Sequence, residues 1–152
     1  MRQHERRKSY LELIEPDAGS SFHSLLRDSA HGYRFNWHHH PELELTWIMR
    51  GTGLRFAGDS IMEFGPGDLV LLGPNLPHTW TSHNSNEFTC AMVVQFLPKL
   101  LDPLSSYPEM RSLQPLIHAA GLGVLPATTT ARQATKNWPV CWKFPLPIRS
   151  AG

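Results

Sequence analysis

The chain alternates short apolar runs with turn residues between positions 10 and 96. Residues 43–49 are apolar at every second position, which is typical of a strand with one buried face. The continuous apolar run 69–72 predicts a strand that is buried on both faces. Further strands are predicted at 10–14, 22–26, 54–56 and 88–96. Short strands that are separated by turns rich in glycine or proline predict a mainly β fold, either a sandwich or a barrel.

The period of the apolar positions changes after residue 98. A set of apolar residues recurs at helical spacing, namely Met110, Leu113, Leu116, Ile117 and Ala120. Pro108 suits the first turn of this helix, and Gly121 suits its end. Pro115 should kink or shorten the helix, because it removes one hydrogen bond. We expect the apolar stripe to pack on the β-domain or on a partner subunit, and we expect a second helix over 127–136.

These patterns divide the chain into three segments. Residues 1–97 are predicted to form the β-domain, and residues 98–136 a helical segment for dimerisation or linkage. Residues 137–152 are rich in proline and tryptophan and show neither a helical nor a strand period. We interpret the abrupt change at Asn137 as a shifted or rearranged reading frame, or as the start of a disordered tail.

Composition narrows the class of protein. At 152 residues with 41% apolar and 18% charged residues, the chain has the make-up of one globular domain. A net charge of +1 indicates no general surface for polyanions, and we interpret the basic residues near the start as a solvated arm. The start of the chain lacks a secretory signal, no apolar run is long enough to span a membrane, and Cys90 and Cys141 make no disulfide framework. These features predict a cytoplasmic protein without a membrane partner.

The densest group of chemically active residues begins at Trp37 and reads WHHHPELE. Side chains alternate along a strand, so His38, His40 and Glu44 are expected to face one way. We assign His39 and Glu42 to the outer face, and we expect His78 to join the first three from another strand. Three imidazoles and one carboxylate suit a divalent ion such as Zn, Ni, Fe or Mn.

Two alternatives to a metal site remain open at this point. The same side chains could line a metal-free ligand pocket, or each histidine could be an ordinary hydrogen-bonded residue. Proximity in sequence makes four further residues candidate pocket linings: Thr46, Ile48, Trp80 and Thr81.

Two segments resemble a known superfamily. The pattern H-x-H-x3-E-x6-G from His38 to Gly51, followed by G-D and P-H from Gly67 to His78, resembles the two motifs of the cupins. Residues 37–45, 58–61 and especially 67–80 resemble the N-terminal sensor domain of AraC-type transcription regulators. The resemblance extends over about residues 10–136. Gly73-Pro74-Asn75 departs from the Pro-x-Gly of many cupins, but it fits the regulator branch.

The resemblance implies a cupin-type antiparallel β-barrel of the jelly-roll kind, with one or two C-terminal helices. It also implies a ligand-sensing and dimerisation domain that binds a small polar effector, a divalent metal, or both. The helix-turn-helix units that follow such sensors are not recognisable here, so we expect no specific DNA binding by this chain alone. The alternative is a small metal-dependent cupin enzyme of the dioxygenase or isomerase type, although Tyr33 and Glu63, the further acid–base candidates, lack supporting spacing.

Overall fold

The computed structural model describes residues 8–121 and 125–126, and most of these residues belong to strands. The strands are β1 (Tyr10–Leu11), β2 (Phe22–Ser29), β3 (His38–His39), β4 (Leu43–Arg50), β5 (Gly53–Ala57), β6 (Ser60–Phe64), β7 (Leu69–Leu72), β8 (His78–Ser82), β9 (Thr89–Phe96) and β10 (Leu125–Pro126). A 3-10 helix at Pro98–Leu104 and an α-helix, α1, at Pro108–Gly121 precede β10. The predicted mainly β fold class with a C-terminal helix is confirmed.

The described strands form two five-stranded sheets by hydrogen bonding. The first sheet has the order β1-β3-β8-β5-β6, and the second has the order β10-β7-β4-β9-β2. Neighbouring strands are antiparallel, except that β1 runs parallel to β3. In the described part of the chain, no strand belongs to both sheets. The predicted barrel therefore takes the form of two separate sheets rather than one closed sheet.

The apolar core draws on both sheets. Phe64 and Trp80 come from the first sheet, and Ile48, Val70 and Leu72 come from the second. Each of these side chains is at most 8% exposed. Removing apolar surface from water is the main favourable term in folding, so this contact holds the sheets together and fixes the space between them.

Strand β4 shows which face of the second sheet is turned inward. Glu44, Thr46 and Ile48 are buried, whereas Leu45 and Trp47 are only half-buried. The predicted period of two is present, but the apolar positions that revealed it lie mainly on the outer face. The first sheet packs on the inner face, so two polar side chains are among the most buried residues of this strand.

The predicted strand positions agree with the structure in part. Strand β7 coincides with the predicted run, but Leu69 and Leu71 are only half-buried, so burial on both faces is incomplete. Strand β1 is two residues long rather than five. The sequence placed His38 and His78 on two strands without giving the bounds of β3 and β8, and it did not indicate β6. Polar residues in these strands obscure the alternation of apolar positions by which a strand is normally predicted. These segments become strands because they pair with neighbouring strands.

Helix α1 begins at Pro108, as predicted, and runs past Pro115 to Gly121. Pro115 therefore does not end the helix, although it removes one backbone donor. Ala120 is completely buried, and its carbonyl accepts a hydrogen bond of 2.9 Å from the N–H of Gly73. This bond fixes the end of the helix beside β7. The predicted second helix, the tail after residue 136 and Cys141 lie outside the described residues.

None of the described helices has the length and apolar character that crossing a membrane would require.

Candidate functional site

The four side chains expected to form a metal site come together between the sheets. His38 lies on β3 directly opposite His78 on β8, and Glu44 lies near the start of β4. All three histidines and Glu44 are at most 2% exposed. One ligand atom from each of His38, His40 and His78 lies within 4.8 Å of the other two. The Oε2 atom of Glu44 lies 3.0 Å from His40 Nε2 and 3.6 Å from His78 Nε2.

Two of the histidines have their ring nitrogens oriented by the backbone. Nδ1 of His38 donates to the carbonyl of Asn36, and Nδ1 of His78 donates to the carbonyl of Leu76, each at 2.7 Å. A carbonyl can only accept, so Nδ1 carries the proton and Nε2 of the neutral ring keeps its lone pair. Both Nε2 atoms are buried and have no hydrogen-bond partner among the described residues. This tautomer is the one that a metal-binding histidine requires.

Glu44 is the acceptor at the centre of the site. Its Oε2 accepts from His40 Nε2 at 3.0 Å and from Gln95 Nε2 at 2.9 Å, and its Oε1 accepts from the Thr46 hydroxyl at 2.7 Å. Burial by itself disfavours the carboxylate, but the hydrogen bond from His40 and the closeness of the His78 ring outweigh it and hold the pKa of Glu44 well below its ordinary value. Glu44 is therefore favoured in its carboxylate form.

The histidines differ in their readiness to carry a proton. Burial lowers the pKa of His38, and the neighbouring His78 lowers it further. For His40 burial also acts downward, but the hydrogen bond and charge of Glu44 outweigh it, so its pKa is raised. The neutral form is thus favoured at His38, whereas His40 holds its proton more tightly through its hydrogen bond with Glu44.

The expectation that Glu42 faces outward is wrong. Glu42 is 8% exposed, and its Oε2 lies 3.5 Å from Nδ1 of His40. Glu42 has the same parity as His38, His40 and Glu44, and all four are buried, so the alternation of side chains holds across Pro41 and the outward assignment departed from it. His39 does point away from the three histidines, and its Nδ1 pairs with the Ser9 hydroxyl at 2.9 Å.

A cavity of about 330 Å³ adjoins this group. Among the predicted lining residues, Thr46, Ile48 and Trp80 do line it, but Thr81 does not. The adjacent Thr79 is part of the wall instead, and its hydroxyl accepts a hydrogen bond from the Asn36 N–H at 2.8 Å. His38 and Glu44 also line the cavity, so the buried donors and the open space belong to one site.

Several residues of the site escaped the sequence reasoning. Gln95 lies opposite Glu44 in the β4–β9 register, and Glu12 places a carboxylate oxygen 3.2 Å from Nε2 of His38. Arg27 and Arg34 reach the cavity from β2 and from the segment before β3. Register and chain path bring these residues to the site, and neither leaves a motif in the sequence.

Comparison with known families gives a match over most of the chain. Residues 23–135 match the model of the AraC-like ligand binding domain. The chain belongs to this family. The resemblance to AraC-type sensors is therefore confirmed, and so is the cupin-like fold class that it implied. No curated protein matches the chain.

Solved structures similar to this AraC-like ligand binding domain include ToxT, a Cupin 2 conserved barrel domain protein and an oxalate decarboxylase. ToxT from Vibrio cholerae is 20% identical, with a TM-score of 0.48 and coverage of 62% of this chain. A Cupin 2 conserved barrel domain protein from Salinispora arenicola is 20% identical, with a TM-score of 0.47 and coverage of 70% of this chain and 95% of its own. Oxalate decarboxylase from Bacillus subtilis, studied for its Mn(II) centres, is 19% identical, with a TM-score of 0.46 and coverage of 65% of this chain and 29% of its own. The chain spans 37% of the length of ToxT.

Proposed function

We propose that this AraC-like domain senses a small molecule held in the cavity, beside a divalent metal ion bound by His38, His40, His78 and Glu44. The observation that carries the proposal is the convergence of three buried imidazoles, two of which are oriented by the backbone and have Nε2 atoms that form no hydrogen bond. A buried ring nitrogen without a hydrogen bond costs free energy, and an ion at this point would satisfy both Nε2 atoms at once.

The donor set fits a borderline divalent ion. Nitrogen and carboxylate ligands lie about 2.0–2.2 Å from zinc, so neighbouring ligand atoms of one ion are separated by roughly 3–3.5 Å. The separations of Glu44 Oε2 from His40 and His78 are close to this range, at 3.0 and 3.6 Å. The same donors suit Zn, Ni, Fe or Mn. When bound, the ion would offer open positions to a polar group of the effector.

Replacing His78 with alanine should reduce the metal content of the purified protein by at least about tenfold, and replacing His40 should do the same. Each change removes one nitrogen ligand from the proposed set. The measurement is elemental analysis by mass spectrometry after the protein is loaded with each candidate metal and desalted.

The matched control for these variants is His39→Ala. His39 is the neighbour of two proposed ligands, but its ring pairs with Ser9 rather than with the site. This variant should retain the metal content of the unmodified protein. Undiminished metal content in both His40→Ala and His78→Ala would rule out the four-ligand site.

Helix α1 supports the proposal that the domain forms a homodimer. Leu113 and Leu116 lie on this helix and are 42% and 40% exposed. Large apolar side chains in a row at helical spacing favour burial against a partner, and a second copy of the same helix offers the same surface. We accordingly propose that residues 1–97 form the ligand-binding part of the domain and that the helical segment from residue 98 onward forms the dimer contact.

Replacing Leu113 and Leu116 together by glutamate should convert a dimer at tens of micromolar into a monomer. Two carboxylates would have to be desolvated at the interface, which costs more than the lost apolar contact. Sedimentation equilibrium measures the change, and Gln114→Glu on the same exposed helix is the control. If the unmodified protein is already monomeric at these concentrations, α1 is not the interface.

The proposal covers sensing and leaves DNA recognition to other parts of a regulator. We place the domain in the cytoplasm, and we expect the sensor by itself not to bind DNA specifically. Its near-neutral charge of +1 supports this expectation, because affinity for the phosphate backbone depends on clustered lysine and arginine.

A metal-dependent cupin enzyme is the alternative function for the same donor set. Of the further acid–base candidates named from the sequence, Tyr33 lines the cavity. Its hydroxyl donates to the carbonyl of Arg27 at 2.7 Å, and burial, followed by the nearby Cys90, raises its pKa to about 12. A phenol with this pKa is poorly matched to proton transfer near neutral pH, which favours sensing. Turnover that disappears in His78→Ala would favour the enzyme instead.

A further inference from the structure

The charges at the open end of the cavity identify the chemical class of its ligand. We propose that the effector is a small organic acid whose carboxylate is held by Arg27 and Arg34, and whose apolar body lies against Ile48, Trp80 and Val93. The inference rests on the proposed sensing function and specifies the kind of molecule sensed.

The two arginines are the first observation. Both line the cavity, Arg27 as a half-buried residue of β2 and Arg34 as an exposed residue at the entrance. Neither guanidinium forms an ion pair with an acidic side chain anywhere in residues 8–121. A guanidinium offers parallel N–H donors that match the two oxygens of a carboxylate. An acid group at the entrance would therefore fill donors that the described residues leave free.

The balance of charge within the cavity is the second observation. Asp28 is the acidic lining residue near the arginines, so this end carries an excess of one positive charge. Glu44, the other acidic lining residue, is already paired with its histidines at the inner end. An anion entering the cavity is thus attracted, whereas a cation meets uncompensated positive charge.

The position of Arg27 limits where the acid group can lie. On the inner face of the second sheet, Arg27 is in register with Ala91 and Ile48, and Glu44 lies four residues earlier on β4. Four residues of a strand extend about 13 Å, so the arginine end and the histidine end are well separated. An acid bound at the entrance leaves the metal ligands free and places the rest of the molecule along the intervening wall.

The wall between the two ends is largely apolar, and the space is small. Ile48, Trp80, Ala91 and Val93 line it, and the volume of about 330 Å³ is near the lower end for ligand pockets. A short aliphatic or single-ring acid fits this combination of size and surface. A sugar, which needs hydroxyl partners around its whole edge, is less well matched to such a wall.

Binding of matched acids and amides tests this inference on the full chain. The probes are acetate and acetamide, benzoate and benzamide, and 3-phenylpropanoate and 3-phenylpropanamide, measured by isothermal titration calorimetry. In at least one pair the acid should bind about tenfold or more tightly than the amide, because only the acid forms charge-assisted hydrogen bonds. Equal affinity within every pair, or no binding by any probe, overturns the inference.

Substitutions at the cavity entrance test whether the two arginines cause the preference for an acid over its amide. Arg27→Gln and Arg34→Gln should each weaken acid binding and leave amide binding unchanged, and Arg27→Lys should restore part of the loss. Asp28→Asn should strengthen acid binding, because it removes the negative charge from the same end. Arg111→Gln, an equal change of charge at an exposed position of α1, is the control. A preference for the acid that survives the double Arg27→Gln and Arg34→Gln change overturns the inference.

Repeating the titrations on His78→Ala separates this inference from the proposed metal site. An arginine-dependent preference that persists in this variant supports the acid-binding entrance, whatever the metal content proves to be. A preference that vanishes with the metal but is indifferent to the arginines shows that the acid binds the ion, and it overturns the inference while the metal site stands.

Discussion

Replacing Glu44 with alanine is expected to destabilise the metal-free protein by about 3–5 kcal/mol, which is the usual cost of breaking a buried ion pair. The change strands three donors that now reach this carboxylate, on His40, Thr46 and Gln95. All three residues are at most 4% exposed, so each donor would lose its acceptor in a buried position. Urea denaturation of protein treated with a chelator measures the difference in the free energy of unfolding.

Two further variants show whether the loss of stability in Glu44→Ala comes from the missing carboxylate or from the smaller side chain. Glu44→Gln keeps the size and one acceptor oxygen, so its loss should be smaller than that of the alanine variant. Glu63→Ala removes an exposed carboxylate of β6 and should change the free energy of unfolding by less than about 0.5 kcal/mol. A loss in Glu44→Ala no larger than that in Glu63→Ala would show that the network contributes nothing to folding.

The pH dependence of this loss follows from the pKa shifts of the pair. The pKa of Glu44 is lowered in the folded protein, so its stabilisation is present above its ordinary value of 4.5 and is lost as the pH falls through the lowered pKa. The pKa of His40 is raised, so its contribution is complete below its ordinary value of 6.5 and is lost as the pH rises through the raised pKa. The difference in the free energy of unfolding between the unmodified protein and Glu44→Ala should therefore be largest between pH 4.5 and pH 6.5.

Replacing Gly53 with alanine is expected to destabilise the fold by about 3 kcal/mol, at the upper end for inserting a methyl group into a packed interior. Gly53 lies on the interior strand β5, between Ser82 on β8 and Phe64 on β6. An added Cβ would meet the carbonyl oxygen of Thr81 and would lie 2.8 Å from both Ser82 Cα and Phe64 Cε1. Two of these neighbours are backbone atoms, so relief requires the strands to move apart.

Gly65→Ala is the matched control for this substitution. A Cβ at Gly65 meets nothing within 4 Å, and its backbone is not in the left-handed region. There the change should be neutral or stabilising by up to about 1 kcal/mol, because alanine restricts the unfolded chain. Thermal and urea unfolding measure both variants. Equal stability of the two variants would show that the β5–β8 spacing tolerates a side chain at Gly53.

The candidate site shows where sequence reasoning succeeded. His38 and His40 stand two residues apart, and Glu44 shares their parity, so the alternation of a strand placed them together correctly. Glu42 has the same parity and was assigned outward, yet it is buried against His40. Strict alternation would have placed Glu42 on the buried side with the other three residues, as the structure has it, so the error came from departing from the alternation at Pro41.

The lining of the cavity could be predicted only in part from proximity in sequence. Thr46, Ile48 and Trp80 line the cavity as proximity suggested, but Thr79 takes the place expected for Thr81. Gln95 and the two entrance arginines come from strands and segments distant in sequence. A contact of this kind depends on which strands pair and in which register, and register is set by the packing of the whole sheet.

The sequence by itself determined the class of fold, the family and the four residues that meet at the centre, because alternation and the two motifs are local properties of the chain. Only the tertiary structure decided which face of β4 is buried, how the histidine rings are oriented, and which charges stand at the cavity entrance. Those features depend on long-range strand pairing and on backbone carbonyls brought close in space, and neither is encoded at any fixed spacing along the sequence.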